Sequence, residues 1–211
     1  MKTRTLPFLA MFVLLAAPAA SRATDYDTSA ATVRCTTFLG TVSPKPLLTM
    51  TAQPTVLTVK GKLGGCTVSG ATPADPPLQV VSAKMTAKLP VTADASCLTL
   101  VAGFQVTGSF VFQWKAAPGQ SLDSSTTTFT PDSGGLVAGL VPLAAATYGA
   151  FTATGTLAPG SAFGGATPTF LVISAEDIVN MFGQCCTDPM TCLPVGKGVR
   201  KLHIAIGQVE M

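Results

Sequence analysis

The chain is predicted to be all-β: a two-sheet antiparallel β-sandwich with one short C-terminal helix, held by disulfides. Three observations carry this reading. First, Gly103 to Lys115 alternates strictly, with Phe104, Val106, Gly108, Phe110, Phe112 and Trp114 on one side of an extended chain and Gln105, Thr107, Ser109, Val111, Gln113 and Lys115 on the other. That is the period-two pattern of a strand with one apolar face and one mostly polar face. A strand that puts the single tryptophan on its apolar face needs a second layer to cover it. Second, short segments of this kind recur about every 8–15 residues between Gly- and Pro-rich turns, the spacing of a sandwich or barrel. Third, there are six cysteines, Cys35, Cys66, Cys97, Cys185, Cys186 and Cys192, an even number that reads as a disulfide framework in an oxidising compartment.

Residues 1–23 are set apart as a secretory signal peptide. Lys2 and Arg4 precede an apolar run from Leu6 to Ala17, and Ala17-Pro18-Ala19 or Ser21-Arg22-Ala23 each satisfies a small-x-small cleavage rule, placing the cut between Ala19 and Ala23. No cysteine follows the cut closely enough for a lipid anchor, Cys35 being too far along. No later stretch reaches about 18 uninterrupted apolar residues, so no transmembrane span is expected in the mature chain. Residues 24–211 are expected to form a single domain, located outside the cytoplasm, either secreted or periplasmic.

In order, Thr32 to Leu39 is a first strand carrying Cys35, and Val42 to Pro46, with two prolines, is a turn. Leu47 to Ala52 is a second short strand. Thr55 to Leu63 alternates, with Lys60 and Lys62 marking its wet face, and Gly64-Gly65-Cys66 ends it. Gly70 to Pro77 is a loop on composition. Leu78 to Leu89 is a long strand with Lys84 and Lys88 on its polar side, stopped by Pro90. Asp94 to Cys97 is a tight connection, and Leu98 to Ala102 leads into the Gly103–Lys115 strand. After a turn at Pro118-Gly119, Leu122 to Thr130 is a Thr-rich partner strand near an edge. Leu136 to Leu143, Thr147 to Leu157 and Thr169 to Ile173 follow as strands, the second interrupted by Gly149 and Gly155. Ser174 caps a predicted helix from Ala175 to Phe182, with Glu176 and Asp177 in its first turn and Gly183 ending it. Gln184 to Pro194 is a cysteine-rich loop, and Val199 to Val209 closes the chain as a strand with Lys201 and His203 outward. No internal repeat is present.

Charge excludes some partners. The 13 Lys+Arg exceed the 10 Asp+Glu, but Lys2, Arg4 and Arg22 leave with the signal peptide and no acid does, so ten face ten in the mature chain. On that balance no basic patch is expected, and neither nucleic acid nor anionic lipid is indicated as a partner.

Six cysteines allow 15 pairings. The preferred one joins Cys35 with Cys66, stapling two early strands, leaves Cys97 to reach a member of the C-terminal cluster, and lets the last two close a small loop. Cys185 and Cys186 are adjacent, and a bond between them would strain the backbone, so different partners are expected.

The cysteine in the first strand, Lys60-Gly-Lys-Leu-Gly-Gly-Cys66, the Ser96-Cys97-Leu98 step, the Trp-ended strand, Ala162-Phe163-Gly164-Gly165 and a late cysteine loop before a final strand together resemble a group of small secreted bacterial proteins. The resemblance covers nearly the whole mature chain and implies an Ig-like or related β-sandwich. It brings no catalytic residues. The paired Cys185-Cys186 and the short helix before it depart from that group, which puts the pairing of the last cysteines in question.

Several constellations that suggest chemistry also have plainer readings. Asp132-Ser133-Gly134-Gly135 resembles the Asp-Ser-Gly-Gly of trypsin-like serine proteases, whose chemistry needs a base oriented by a buried acid. The one histidine, His203, falls on the outward side of the last strand and no His-Cys segment precedes the serine, so a turn is the better reading. Cys185, Cys186, Cys192 and His203 offer soft metal ligands but lack paired Cys-x-x-Cys spacing, so disulfides are expected there and no cofactor or metal. Asp123, Asp132, Glu176 and Asp177 do not fall as a pair on one strand face, as glycoside hydrolysis would need. Phe110, Phe112 and Trp114 could stack on sugar only if exposed, and their alternation places them in the core. Cys97, Trp114 and Cys185 resemble the Cys–Trp–Cys core of immunoglobulin domains, without the strand and nearby Tyr that pattern requires.

No catalytic residue is assigned. The expectation is an exported, non-enzymatic β-sandwich that is structural or binds at the cell envelope or outside it. The alternative is a carbohydrate- or surface-binding module with a cell-surface or glycan ligand, which two or more solvent-facing aromatics in a row on one sheet would favour.

Overall fold

The computed structural model of the chain describes residues 23–102, 105–129, 136–143, 146–154, 156–167, 169–177, 183–185 and 197–211. In chain order the elements are β1 (Thr24–Asp25), β2 (Thr32–Lys45), β3 (Val56–Ser69), β4 (Val80–Pro90), α1 (Cys97–Ala102), β5 (Gln105–Val106), β6 (Gly108–Ala116), β7 (Gln120–Ser121), β8 (Ser125–Phe129), β9 (Leu136–Leu143), β10 (Ala146–Thr154), β11 (Thr156–Leu157), β12 (Thr169–Asp177) and β13 (Leu202–Glu210). The antiparallel all-β class and its disulfides are as the sequence predicts.

Eleven strands share one hydrogen-bonded order, β11-β8-β6-β4-β3-β2-β13-β12-β10-β9-β5, with β1 and β7 forming a small separate pair. The long order does not stay open. β5 pairs with Leu136–Val137 of β9, while Val106 bridges Val91 just beyond β4 and the Thr107 N–H donates to Pro90 O at 3.0 Å. The ladder therefore returns to β4, and closure removes edges that would otherwise expose unpaired backbone. Gly108 makes the switch possible. It sits between β5, which serves β9, and β6, which serves β4, at φ 131°, and a Cβ there would meet Lys88 O at 2.9 Å.

The period-two pattern decides the two faces. Across β2, β3, β4 and β6 the register lines up inward rows: Phe38, Leu63, Ala83 and Trp114; then Gly40, Gly61, Met85 and Phe112; then Val42, Val59, Ala87 and Phe110. All the non-glycine members of these rows are buried. The glycines have a purpose. A Cβ on Gly61 would fall inside the Phe38 ring, so the missing side chain is the space into which that ring packs.

The aromatic row of β6 also fixes a distant loop. Phe163 is fully buried, meets Trp114 edge-on at 5.1 Å and lies at φ 57°. The Trp114 Nε1–H donates to Ser125 Oγ at 2.8 Å, the Ser125 hydroxyl donates to Ala162 O, and the Phe163 N–H donates to Thr28 Oγ1 at 2.9 Å. Every polar group in this buried chain of contacts finds a partner, as interior polar groups must. Trp114→Phe keeps an aromatic ring but removes the pyrrole part of the indole and with it the donor to Ser125. It is expected to cost about 1–3 kcal/mol, read as a lower midpoint in chemical denaturation.

Several boundaries differ from the sequence reading. β2 runs through Val42–Lys45, which was expected to turn. Its pairing with β13 ends at Val42↔Leu202, so Pro44 is paired with β3 alone in this ladder and its missing N–H is tolerated. β3 continues through Gly64–Gly65 to Ser69 because Cys66 stands directly opposite Cys35. Leu47–Ala52 is not a strand; Leu48 makes an isolated bridge to Val199. Leu98–Ala102, expected to lead into a strand, lies in α1. Ser96 Oγ accepts from the Thr99 N–H at 3.3 Å, and the Thr99 Oγ1 accepts from the Ser96 N–H at 2.7 Å, a reciprocal cap. The helix expected from Ala175 is corrected: Ser174 to Asp177 belong to β12, with Ser174 paired to Ile204 and Asp177 to Tyr148. Ladder pairing on both sides outweighs the cap signal. Gly183 to Cys185 are helical, and 178–182 lie outside the described residues.

Candidate functional site

Cys35 bonds Cys66, and Cys97 bonds Cys185 across 88 residues. The preferred first pairing and the reach of Cys97 into the C-terminal cluster are therefore as expected; Cys186 and Cys192 lie outside the described residues. Cys97 sits in α1 and Cys185 in a helical turn, so this bond does not join two facing strands as the immunoglobulin pattern does. Bonded to Cys97, Cys185 is not a thiolate ligand. Among the described residues no three His, Cys, Asp or Glu gather as a metal would require.

The other candidate residues do not converge. Asp132 and Ser133 lie outside the described residues. His203 is exposed and paired in register with Thr41. Glu176 and Asp177 are in β12. Phe110, Phe112 and Trp114 are buried, with Phe112 and Trp114 stacked at 5.8 Å, so they form no platform for a sugar.

Asp123 lines a cleft of about 200 Å³ together with Tyr26, Asp27, Thr28, Ser161 and Gly164. Asp27 is held below its ordinary value of 3.8, first by the backbone N–H of Ser29 and then by its side chain. That stabilisation is present at neutral pH and fades as pH falls below about 3.8, because a depressed carboxylate favours the folded state only while ionised. The cleft is the mouth of the loop that Phe163 anchors.

A second feature is larger. The outward side chains of β2, β3, β4 and β6 fall into five successive rows: Lys115, opposite the β4 bulge at Val80–Ser82; Leu39, Lys62, Lys84 and Gln113; Thr41, Lys60, Thr86 and Val111; Ser43, Thr58, Lys88 and Ser109; Lys45, Val56 and Pro90. The six lysines are exposed. No aspartate or glutamate occurs in any of the four strands. Arg34 also lies on β2 but stands opposite Glu210 of β13. A shallow depression of about 280 Å³ opens at the centre, lined by Thr58, Lys60, Thr86, Lys88, Ser109 and Val111. Outward His203, beside Thr41, carries the face onto β13.

This corrects the expectation that no basic patch is present. The balanced count of ten and ten holds for residues 24–211, but none of the acids falls in the four strands that carry the six lysines. The alternation of Lys60 with Lys62 and of Lys84 with Lys88 on the wet side of their strands was legible. Which strands lie beside which was not. Compared with known proteins, the chain matches no family model, no curated protein and no solved structure.

Proposed function

We propose that the chain is exported and acts, without catalysing a reaction, as a binding or structural component at the cell envelope or outside it. The observation that supports this best is the open lysine- and hydroxyl-bearing face of β2, β3, β4 and β6. A sheet needs one face for its core. The other is free to meet a partner, and here it carries one sign of charge and no acid. The apolar leader at residues 1–23 and the two disulfides fit an oxidising compartment. Among the described residues no helix is long and apolar enough to cross a membrane. The resemblance to small secreted bacterial β-sandwich proteins agrees with this reading and adds no catalytic group.

A carbohydrate- or surface-binding module is the second reading. Buried Phe110, Phe112 and Trp114 argue against recognition by stacking; the hydroxyls of Thr58, Thr86 and Ser109 around the central depression argue for recognition by polar contacts. Export is tested by expressing the full chain in a bacterial host, fractionating the cells and sequencing the N-terminus of the product. The expected product lies outside the cytoplasm and begins at Ala20 or Thr24. A cytoplasmic product retaining Met1 to Ala23 would overturn the reading.

A further inference from the structure

We propose that the outer face of β2, β3, β4 and β6 recognises an acidic polysaccharide, with its lysines gripping the carboxylate, sulfate or phosphate groups of the polymer. This rests on the binding reading above and names the ligand class for the same face.

The first argument is the placement of charge. Four adjacent strands carry seven cations and no anion in a mature chain whose totals are equal. With Arg34 opposite Glu210, six lysines remain on the face, with no acid beside them in the four-strand register. Lys62 stands directly across from Lys84, and like charges in that position repel and weaken a sheet. Protein surfaces ordinarily mix both signs. A face that concentrates one sign against this repulsion attracts and orients a partner of the other sign.

The second argument is periodicity. Each of the five outward rows contains at least one lysine: Lys115, then Lys62 and Lys84, then Lys60, then Lys88, then Lys45. Rows lie two residues apart, so the series extends over roughly 27 Å at about 3.4 Å per residue. A repeating ladder of charge fits an extended polymer with repeating anions better than it fits a single small ion. Lysines supply compact point charges, which accept anions of varied geometry, whereas the forked guanidinium of arginine selects flat bidentate ones.

The third argument is what lies between the charges. Thr41, Ser43, Thr58, Thr86 and Ser109 interleave with the lysines, and Lys60 and Lys88 flank the depression that Thr58, Thr86 and Ser109 line together with Val111. Hydroxyl donors and acceptors suit sugar rings. Single-stranded nucleic acid is held by stacking on aromatics, and the aromatics of β6 face inward. The major groove of duplex DNA admits a helix or a two-stranded ribbon, not a face four strands wide. A lipid surface is entered by a contiguous apolar face, whereas the exposed apolar residues here are scattered: Leu39 and Val56 stand three rows apart and Val81 lies at the β4 bulge.

The test uses the purified mature protein and four probes: polygalacturonate, neutral dextran, duplex DNA and vesicles containing anionic phosphatidylglycerol. Each is titrated at 50 and 200 mM NaCl. Polygalacturonate is expected to bind, with affinity falling about tenfold or more between the two salts as counterions are retaken. The exposed triple variant K60Q/K84Q/K88Q is expected to lose about tenfold or more in affinity, while its melting midpoint holds or rises. K60R/K84R/K88R is expected to retain binding. Dextran bound without salt dependence would preserve a binding role and overturn the acidic-glycan assignment. DNA or vesicles bound as tightly as polygalacturonate would overturn it in favour of those partners. Failure of all four probes would overturn this proposal, whereas failure of export shows in the N-terminal sequence instead.

Discussion

Removing the Cys97–Cys185 bond by C97A/C185A is expected to lower stability by about 4–5 kcal/mol. The bond closes 88 residues, and the loop-entropy relation gives roughly 4.6 kcal/mol for a ring of that size. Domains of this kind are stable by only about 5–15 kcal/mol, so one crosslink holds a large share of the total. Both sulfurs are buried, which adds a packing loss when they are truncated. The Cys35–Cys66 bond, separated by 31 residues, gives roughly 3.7 kcal/mol by the same relation. Less of that is expected to appear, because those residues already face each other in a continuous ladder. Urea denaturation of each variant without reductant measures both. A loss below about 1 kcal/mol for C97A/C185A would mean that the crosslink does not constrain the unfolded chain as supposed.

Phe38→Ala is expected to cost about 3–5 kcal/mol, the usual range for emptying a fully buried phenylalanine site. The more diagnostic experiment pairs it with Gly61→Ala. Adding one methyl at Gly61 is expected to destabilise by about 1–3 kcal/mol through overpacking, because that methyl would occupy the Phe38 ring. In F38A/G61A the ring is gone and the methyl has room. The double variant should therefore be more stable than the sum of the two single losses predicts, with a coupling of about 0.5–3 kcal/mol. Additive losses would show that Phe38 does not cover Gly61.

Much of this fold is legible in the sequence wherever one face of a strand is wet and the other dry. Leu57, Val59 and Leu63 against Lys60 and Lys62 announce β3, and Phe110, Phe112 and Trp114 announce β6. The misread places are those where a local signal competes with pairing. Pro44 and Gly64-Gly65 are turn residues by type, yet the long β2–β3 ladder carries the chain through them. Ser174 and its acids are helix-starting by type, yet β10 and β13 claim them from either side. The reciprocal Ser96–Thr99 cap of α1 is present in the sequence, but Leu98 to Ala102 suits a strand equally well. The lysine face was hidden for a different reason. Each strand shows its own wet side, but a patch exists only once β2, β3, β4 and β6 lie side by side in register, and a whole-chain sum of charges erases it.

Peptide mapping of the non-reduced protein tests the crosslinked β fold, and the proposal that it is exported, most directly. The expected map contains a peptide pair joining Cys35 to Cys66 and another joining Cys97 to Cys185, with none of these four cysteines alkylated before reduction. Alkylation of those thiols in the native protein, or Cys97 found bonded to a different partner, would contradict both the fold and the compartment in which it is taken to work.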